Sequence, residues 1–531
     1  MNKFIPFLAI FFSKLLYAQS PLLIDINAGS GSSSPVVIGT LNSQLILATS
    51  INNGEIYKSD GTSTGTQLIK KVDNYISSSG SDEQCATVNG KIVFEAIDIT
   101  GDIEPWVTDG TTIGTARLKD LVTGSSSYPR DFISAGNKVI FAAYESNPRM
   151  TGIWTTDGTT TGTSLLNVHY DIFNNNNSFA PNEFKELNGK VYYLACDTVD
   201  RPDIWVTDGT AAGTHFFLRV PKNYSPSNPP SYLFKFGNSL YQYCYVDTNS
   251  SGGGSINDFV GSIWKIDVNN STATFITLLK GFESLTNTSN LFYFNNYDAG
   301  GSVSELWVSD GTSSGTKKLS NVSPGIGVEF KNKMYFVGYD NELGLWSTDG
   351  TVSGTSKFKS FSPTEDFASE LIVFNNKIYF FTNNASTNTS ILWQSDGTLG
   401  GTIQITSNFA ETIWPRFTIF NGSLYFTAAT SNSGLELWKL STTTSDIHYN
   451  SPVTTSLSCY PNPAQTKLNL TISALEGNTG YQIFNLLGDK ILEGQMQDKT
   501  TTINIADLPQ GVYVIRVKNG LSEKTQKFSV E

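Results

Sequence analysis

Between residues 19 and 445 the chain repeats one arrangement of apolar and polar positions. A short alternating run ends in a pair rich in Asn and Gly, and an aromatic-rich run follows: NGKIVF from Asn89, GNKVIF from Gly136, NGKVYY from Asn188, NNKIYF from Asn375 and NGSLYF from Asn421. Alternation of this kind marks strands, and Asn-Gly between two strands suits a tight type I′ turn, whose two central residues both need positive φ. A third run then reaches an aromatic residue and a DGT turn. EPWVTDGTTIGT from Glu104 recurs as GIWTTDGTTTGT from Gly152, DIWVTDGTAAGT from Asp203, ELWVSDGTSSGT from Glu305, GLWSTDGTVSGT from Gly344 and ILWQSDGTLGGT from Ile391. EIYKSDGTSTGT from Glu55 carries Tyr57 in place of tryptophan, and two copies are worn: SIWKIDVNN from Ser262 and ELWKLSTTT from Glu436.

Each repeat therefore predicts four antiparallel strands: strand, tight turn, strand, loop, strand bearing the Trp, DGT turn, strand. The spacing from Tyr57 to Trp438 averages about 48 residues per repeat, within the ~40–50 of propeller blades. The fold class expected is all-β: a multi-bladed β-propeller of eight or nine four-stranded blades, followed by a small Ig-like β-sandwich. Nine repeats exceed the common four to eight blades, so the worn repeat at Ser262 is either a blade or an insertion in an eight-bladed ring, and two smaller arrays are a further arrangement. The last repeat stops after ELWKL and lacks its fourth strand, whereas PLLIDINAGSGSSSP from Pro21 aligns with the fourth strand and exit loop of a full repeat, ARLKDLVTGSSSYP from Ala116. The N-terminal strand is expected to complete the last blade and hide an open edge.

Composition agrees. Of the nine tryptophans, Trp106, Trp154, Trp205, Trp264, Trp307, Trp346, Trp393 and Trp438 share one repeat position, which predicts a ring of indoles packed between neighbouring blades; a surface array that stacks on sugars is the alternative. The Asp of each DGT (Asp60, Asp109, Asp157, Asp208, Asp310, Asp349 and Asp396) is expected to accept hydrogen bonds inside its own turn. Calcium is the one cofactor such a row admits, but one carboxylate per blade, ~10 Å from the next at sheet-packing distance, falls short of an ion needing several oxygens within about 2.6 Å. Glu104, Glu305 and Glu436 recur at one position and are expected to decorate the blades. Cys196 and Cys244 fall late in equivalent strands and allow a disulfide or, as the reading preferred here, two buried thiols. His169, His215 and His448 have no metal-ligand spacing, and no nucleophile-elbow, zinc-protease, phosphate-loop or EF-hand pattern occurs. The Gly/Ser-rich stretch 249–255 in the worn repeat reads as a surface excursion or a binding loop.

The chain's beginning reads as a secretory signal over residues 1–18: Lys3, an apolar run from Phe4 to Phe12, and Leu16-Tyr17-Ala18 before the cut. Ser13 and Lys14 make that run too short for a bilayer span, and no later stretch is long and apolar enough for one. A net charge of −12 with 15% charged residues argues against nucleic acid as partner.

The repeat resembles the ELWxTDGT repeats of secreted Bacteroidetes proteins and is similar in kind to the Asp-box turns of sialidase-type propellers, a resemblance that implies architecture rather than an active site. After a Ser/Thr/Asn-rich linker (446–455), residues 456–531 follow a different pattern, with strands expected at KLNLTI from Lys467, YQIFNLLG from Tyr481, TTINIADL from Thr501, GVYVIRVKNG from Gly511 and KTQKFSV from Lys524. Tyr460-Pro461-Asn462-Pro463, Ile483-Phe484-Asn485 before Gly488, Gly511-Val512-Tyr513 and Lys527-Phe528-Ser529-Val530 resemble the C-terminal sorting domain of the type IX secretion pathway. That resemblance implies transit of the inner membrane, handling by the type IX machinery, and release or attachment at the outer cell surface. The function expected is a secreted or surface-held binding or adhesion scaffold with no catalytic residues, for an extracellular polysaccharide or protein. The alternative is a polysaccharide-degrading hydrolase or lyase whose carboxylates, or a Tyr/Arg cluster, converge at the propeller channel.

Overall fold

The computed structural model describes residues 21–531 apart from 73–83, 98–99, 146–149, 171–180, 197–202, 221–230, 248–258, 299–300, 302, 368–370, 385, 411–415, 442–456, 473–478, 486–489 and 520–521. The expected signal peptide and linker, Trp414, His448, Gly488 and the 249–255 stretch lie outside the described residues. The chain divides into two compact units, 1–442 and 443–531.

In the first unit the described residues form nine antiparallel blades, numbered here in chain order: 36–71, 85–117, 130–170, 182–218, 231–279, 283–320, 323–360, 365–410 and 417–441. The repeat dictates the hairpins. At the tight turns Asn89 and Gly90 take φ of 48° and 73°, Asn188 and Gly189 55° and 77°, Asn375 and Asn376 46° and 57°, and Asn421 and Gly422 44° and 69°, the left-handed pairs that their residue types tolerate. The worn repeat at Ser262 is a full blade, blade 5, with four strands in register order, so the ring has nine members rather than eight plus an insertion.

The strand Leu22–Ile24 supplies the missing fourth strand of blade 9, pairing antiparallel with Leu437–Lys439. The sheets are amphipathic on both faces, and each face is buried against a neighbour. Nine apolar clusters result among the described residues, each shared by two consecutive blades. The cluster of Ile24, Leu45, Leu47, Phe420, Tyr425 and Leu437 joins blade 9 to blade 1 and closes the ring.

First strands meet one another across the junctions and so surround the axis. Ser134 Oγ donates to Thr87 O at 2.8 Å, Lys235 Nζ to Glu186 O at 3.0 Å, and Asn287 Nδ2 to Lys235 O at 2.8 Å. In blades 1, 3, 4 and 6 the first strand carries a bulge, whereas in blade 5 it pairs without a register shift from Ser231 to Phe236.

The second unit holds two sheets, one of Leu457–Tyr460, Lys467–Ile472 and Thr500–Asn504, the other of Thr479–Phe484, Lys490–Met496, Gly511–Asn519 and Ser522–Val530. Leu468, Leu470, Ile483, Ile515 and Phe528 form its shared core, the arrangement of a β-sandwich. The strand Lys490–Met496 is hard to read in the sequence because its inward positions Leu492, Gly494 and Met496 include a glycine and its outward positions include Ile491, so the alternation of burial is not one of residue type.

Candidate functional site

The DGT turns are one construction repeated seven times. Asp60 Oδ1 accepts the Thr62 N–H at 2.9 Å and the Thr62 hydroxyl at 2.7 Å, and the Thr62 hydroxyl in turn accepts from Gly65 N–H. The same bonds recur at Asp109, Asp157, Asp208, Asp310, Asp349 and Asp396. The Thr hydroxyl donated to each carboxylate holds all seven below the ordinary Asp value. Among the described residues no three His, Cys, Asp or Glu side chains gather as a metal would require.

The turn also serves the junction. Gly61 has φ +89°, and a Cβ there would lie 2.0 Å from the Tyr425 hydroxyl of the preceding blade; at Gly311 and Gly397 the neighbours are Tyr241 and Tyr335.

Each of the eight repeat tryptophans packs on the blade before its own. Trp106, Trp154, Trp346 and Trp393 are buried, while Trp205 and Trp307 are half-buried at equivalent junctions. Trp393 stacks on Phe380 and meets Phe361 of blade 7 edge-on at 5.2 Å, and Lys119 and Lys359 lie over Trp154 and Trp393 from the preceding blades.

The acids two residues before the aromatic position do not decorate the surface. Glu55, Glu104, Asp203, Glu305 and Glu436 are buried. An i, i+2 pair shares one face of a strand, and this face is turned into the junction beside the indole. Glu305 accepts from Trp307 Nε1 at 2.8 Å and pairs with Lys318, and Glu55 accepts the Tyr57 hydroxyl at 2.6 Å.

Glu104 accepts from Leu121 N at 3.1 Å and Ser127 Oγ at 2.8 Å, pinning the exit loop of blade 2. Glu436 does the same for the N-terminal segment: Ile26 N at 2.9 Å, Ser33 N at 2.8 Å and Ser33 Oγ at 2.6 Å. Ser34 and Tyr128, the next residues, have φ of 46° and 47°. The aligned segments 21–35 and 116–129 thus carry matching bonds, one across the ring closure and one within a continuous blade. Burial raises both carboxyls above the ordinary Glu value.

Cys196 and Cys244 are buried in blades 4 and 5, and all four cysteines are present as thiols. His169 is buried, its Nε2 3.1 Å from the Tyr193 hydroxyl and its ring edge-on to Trp205 at 4.6 Å.

A cleft of different composition lies beside the first strand of blade 5. The first strands of blades 4 and 6 each carry a bulge, with Glu183 and Ser284 at positive φ, whereas the first strand of blade 5 between them pairs without a register shift. The cleft beside these strands is open, of about 400 Å³, and is lined by Glu183 and Lys185 of blade 4, Tyr232 and Phe234 of blade 5, and Phe282 and Glu283 at the entry to blade 6. Tyr232 is 41% exposed and caps a run of rings: Tyr232 on Tyr243, Tyr243 on Phe282, Phe282 on Phe234, Phe234 on Tyr241. Glu183 pairs with Lys185 at 3.3 Å, and Glu283 accepts the Tyr297 hydroxyl at 3.0 Å. Sequence reasoning passed over these residues, whose one signal was the worn repeat of blade 5; the bulges that frame them depend on register, which no residue type announces.

In the second unit the sorting motif is a single contact set. Asn462 Oδ1 accepts Ser529 N at 2.9 Å and Ser529 Oγ at 3.0 Å, Ala464 pairs with Val530, and Tyr513 stacks on Phe528 while its hydroxyl reaches Pro509 O at 2.7 Å. Tyr460 and Lys527 are exposed, and Pro461, Pro463 and Gly511 lie on the same described stretches. Residues 458–531 match the family of the secretion system C-terminal sorting domain.

The chain is an exported protein. Its sorting domain assigns it to type IX secretion and to the cell surface or the medium, and among the described residues no helix is long and apolar enough to cross a membrane.

No curated protein matches the chain. Among solved structures it is similar to PorZ, a bacterial surface component of the type-IX secretion system of Porphyromonas gingivalis, at 12% identity over 92% of this chain and 80% of that one, with a TM-score of 0.25. It is similar to a puromycin hydrolase at 11% identity over 67% of this chain, spanning 61% of the hydrolase, with a TM-score of 0.38. The β-propeller domain of the trilobed protease from Pyrococcus furiosus is 11% identical over 61% of this chain and 98% of its own length, with a TM-score of 0.34. At these identities and scores the likenesses bear on neither ligand nor activity.

Proposed function

We propose that the exported propeller is a binding scaffold for an extracellular polysaccharide or protein, with its ligand held at the first strand of blade 5. The observation that supports this reading is the cleft itself, an exposed aromatic surface of stacked rings with Glu183, Lys185 and Glu283 at its edges. The repeated Trp, Asp and buried Glu positions are engaged in packing and turns. Adhesion follows from the same surface when the ligand belongs to another cell.

The test is a binding screen of the full mature chain against polysaccharides and surface proteins, with product analysis on every ligand retained. Saturable binding without turnover supports the scaffold. Cleavage of a bound polysaccharide, abolished by Glu183→Gln or Glu283→Gln, would replace it with the degradative-enzyme reading.

A further inference from the structure

The chemistry of the blade 5 cavity narrows the ligand class, an inference that rests on the binding reading above. Within the protein, Glu183 pairs with Lys185, and Glu283 accepts a hydrogen bond from the neutral Tyr297 hydroxyl. The lining offers acceptor oxygens on two sides, one ammonium donor, and the exposed face of Tyr232 between them. With two carboxylates against one ammonium the lining is net negative, and a polyanion would meet repulsion and lose hydration without a matching cation.

We infer that the site recognises a neutral polysaccharide chain, one sugar ring lying on Tyr232 and its hydroxyls donating to Glu183 and Glu283 while Lys185 donates to a ring or hydroxyl oxygen. A sugar ring presents C–H groups on its faces and hydroxyl donors around its rim, which is the complement of an aromatic platform bordered by acceptors. The run of stacked rings under Tyr232 holds the platform rigid, so little side-chain freedom is lost on binding.

The experiment is calorimetric titration of the full mature chain with three neutral chains (dextran, mannan and cello-oligosaccharides) and two acidic ones (alginate and polygalacturonate). Binding is expected to at least one neutral chain and to neither acidic one. Tyr232→Ala should weaken it about tenfold or more, Tyr232→Phe should keep it, and Glu283→Gln should weaken it several-fold. Retention by Tyr232→Phe excludes misfolding as the cause of the Ala result. Equal binding of alginate, or no binding of any neutral chain, overturns the inference. Neutral-chain binding indifferent to Tyr232→Ala overturns the site itself, and with it the binding reading at blade 5; a protein ligand lost with Tyr232→Ala keeps the site and overturns the sugar assignment.

Discussion

Glu436→Ala tests whether the ring is held shut where the two chain ends meet. The carboxylate is fully buried and accepts three bonds from the N-terminal segment, at Ile26 N, Ser33 N and Ser33 Oγ. Leaving a buried donor without its acceptor costs ~1–3 kcal/mol, so three donors set a ceiling near 9 kcal/mol. The carboxylate is itself costly to bury, and relief of that cost brings the expected net loss to about 3–5 kcal/mol. Glu104→Ala is the matched control. It removes the equivalent bonds at Leu121 and Ser127, but there the tethered loop belongs to the same continuous blade. Stability of both variants is read by denaturant unfolding, and local opening by hydrogen exchange of peptides covering residues 21–35 and 116–129. Both variants should be destabilised, but fast exchange of the tethered segment together with the Leu45, Leu47 and Phe420 junction is expected for Glu436→Ala alone. If residues 21–35 stay as protected in Glu436→Ala as in the parent, the closing role assigned to this carboxylate is wrong.

Trp393→Ala, which empties a buried ring site between Phe361 and Phe380, should cost about 3–5 kcal/mol, measured as a fall in melting temperature; an unchanged melt would place the ring outside the junction. Gly61→Ala should destabilise clearly more than Gly110→Ala, since both have φ near +87° but only the first drives its Cβ into the Tyr425 hydroxyl, the nearest atom at Gly110 being Ile46 Cδ1 at 3.8 Å; equal losses in paired melts would contradict this. Burial pushes Glu95 up to about 7, partly opposed by Arg130. A raised carboxyl contributes stability that is complete below its unfolded value near 4.5 and is lost as pH rises through 7, so Glu95→Gln should become more stable than the parent above pH 7, by up to about 3 kcal/mol, and match it near pH 4; a constant difference across that range would argue against the burial. Asn462→Ala, losing both Ser529 bonds, should lower the stability of the C-terminal unit by about 1–2 kcal/mol and reduce the amount of protein reaching the medium, assayed by immunoblot of cell and medium fractions.

The sequence by itself determined the repeat, and through it most of the fold. Asn-Gly pairs, DGT turns and one aromatic per repeat are local devices whose chemistry is contained within a few residues, so hairpins, blade boundaries and the closing strand at Pro21 were legible without coordinates. The family of residues 458–531 was legible for the same reason. What only the tertiary structure decided depends on partners far apart in the chain. The blade count rested on whether the worn repeat at Ser262 still pairs as a sheet. The acids at Glu104 and Glu436 read as surface because their spacing does not show which face of the strand turns toward the next blade. The cleft at Tyr232 is lined by residues of blades 4, 5 and 6, which come together only through packing around the ring, so no single strand carries it.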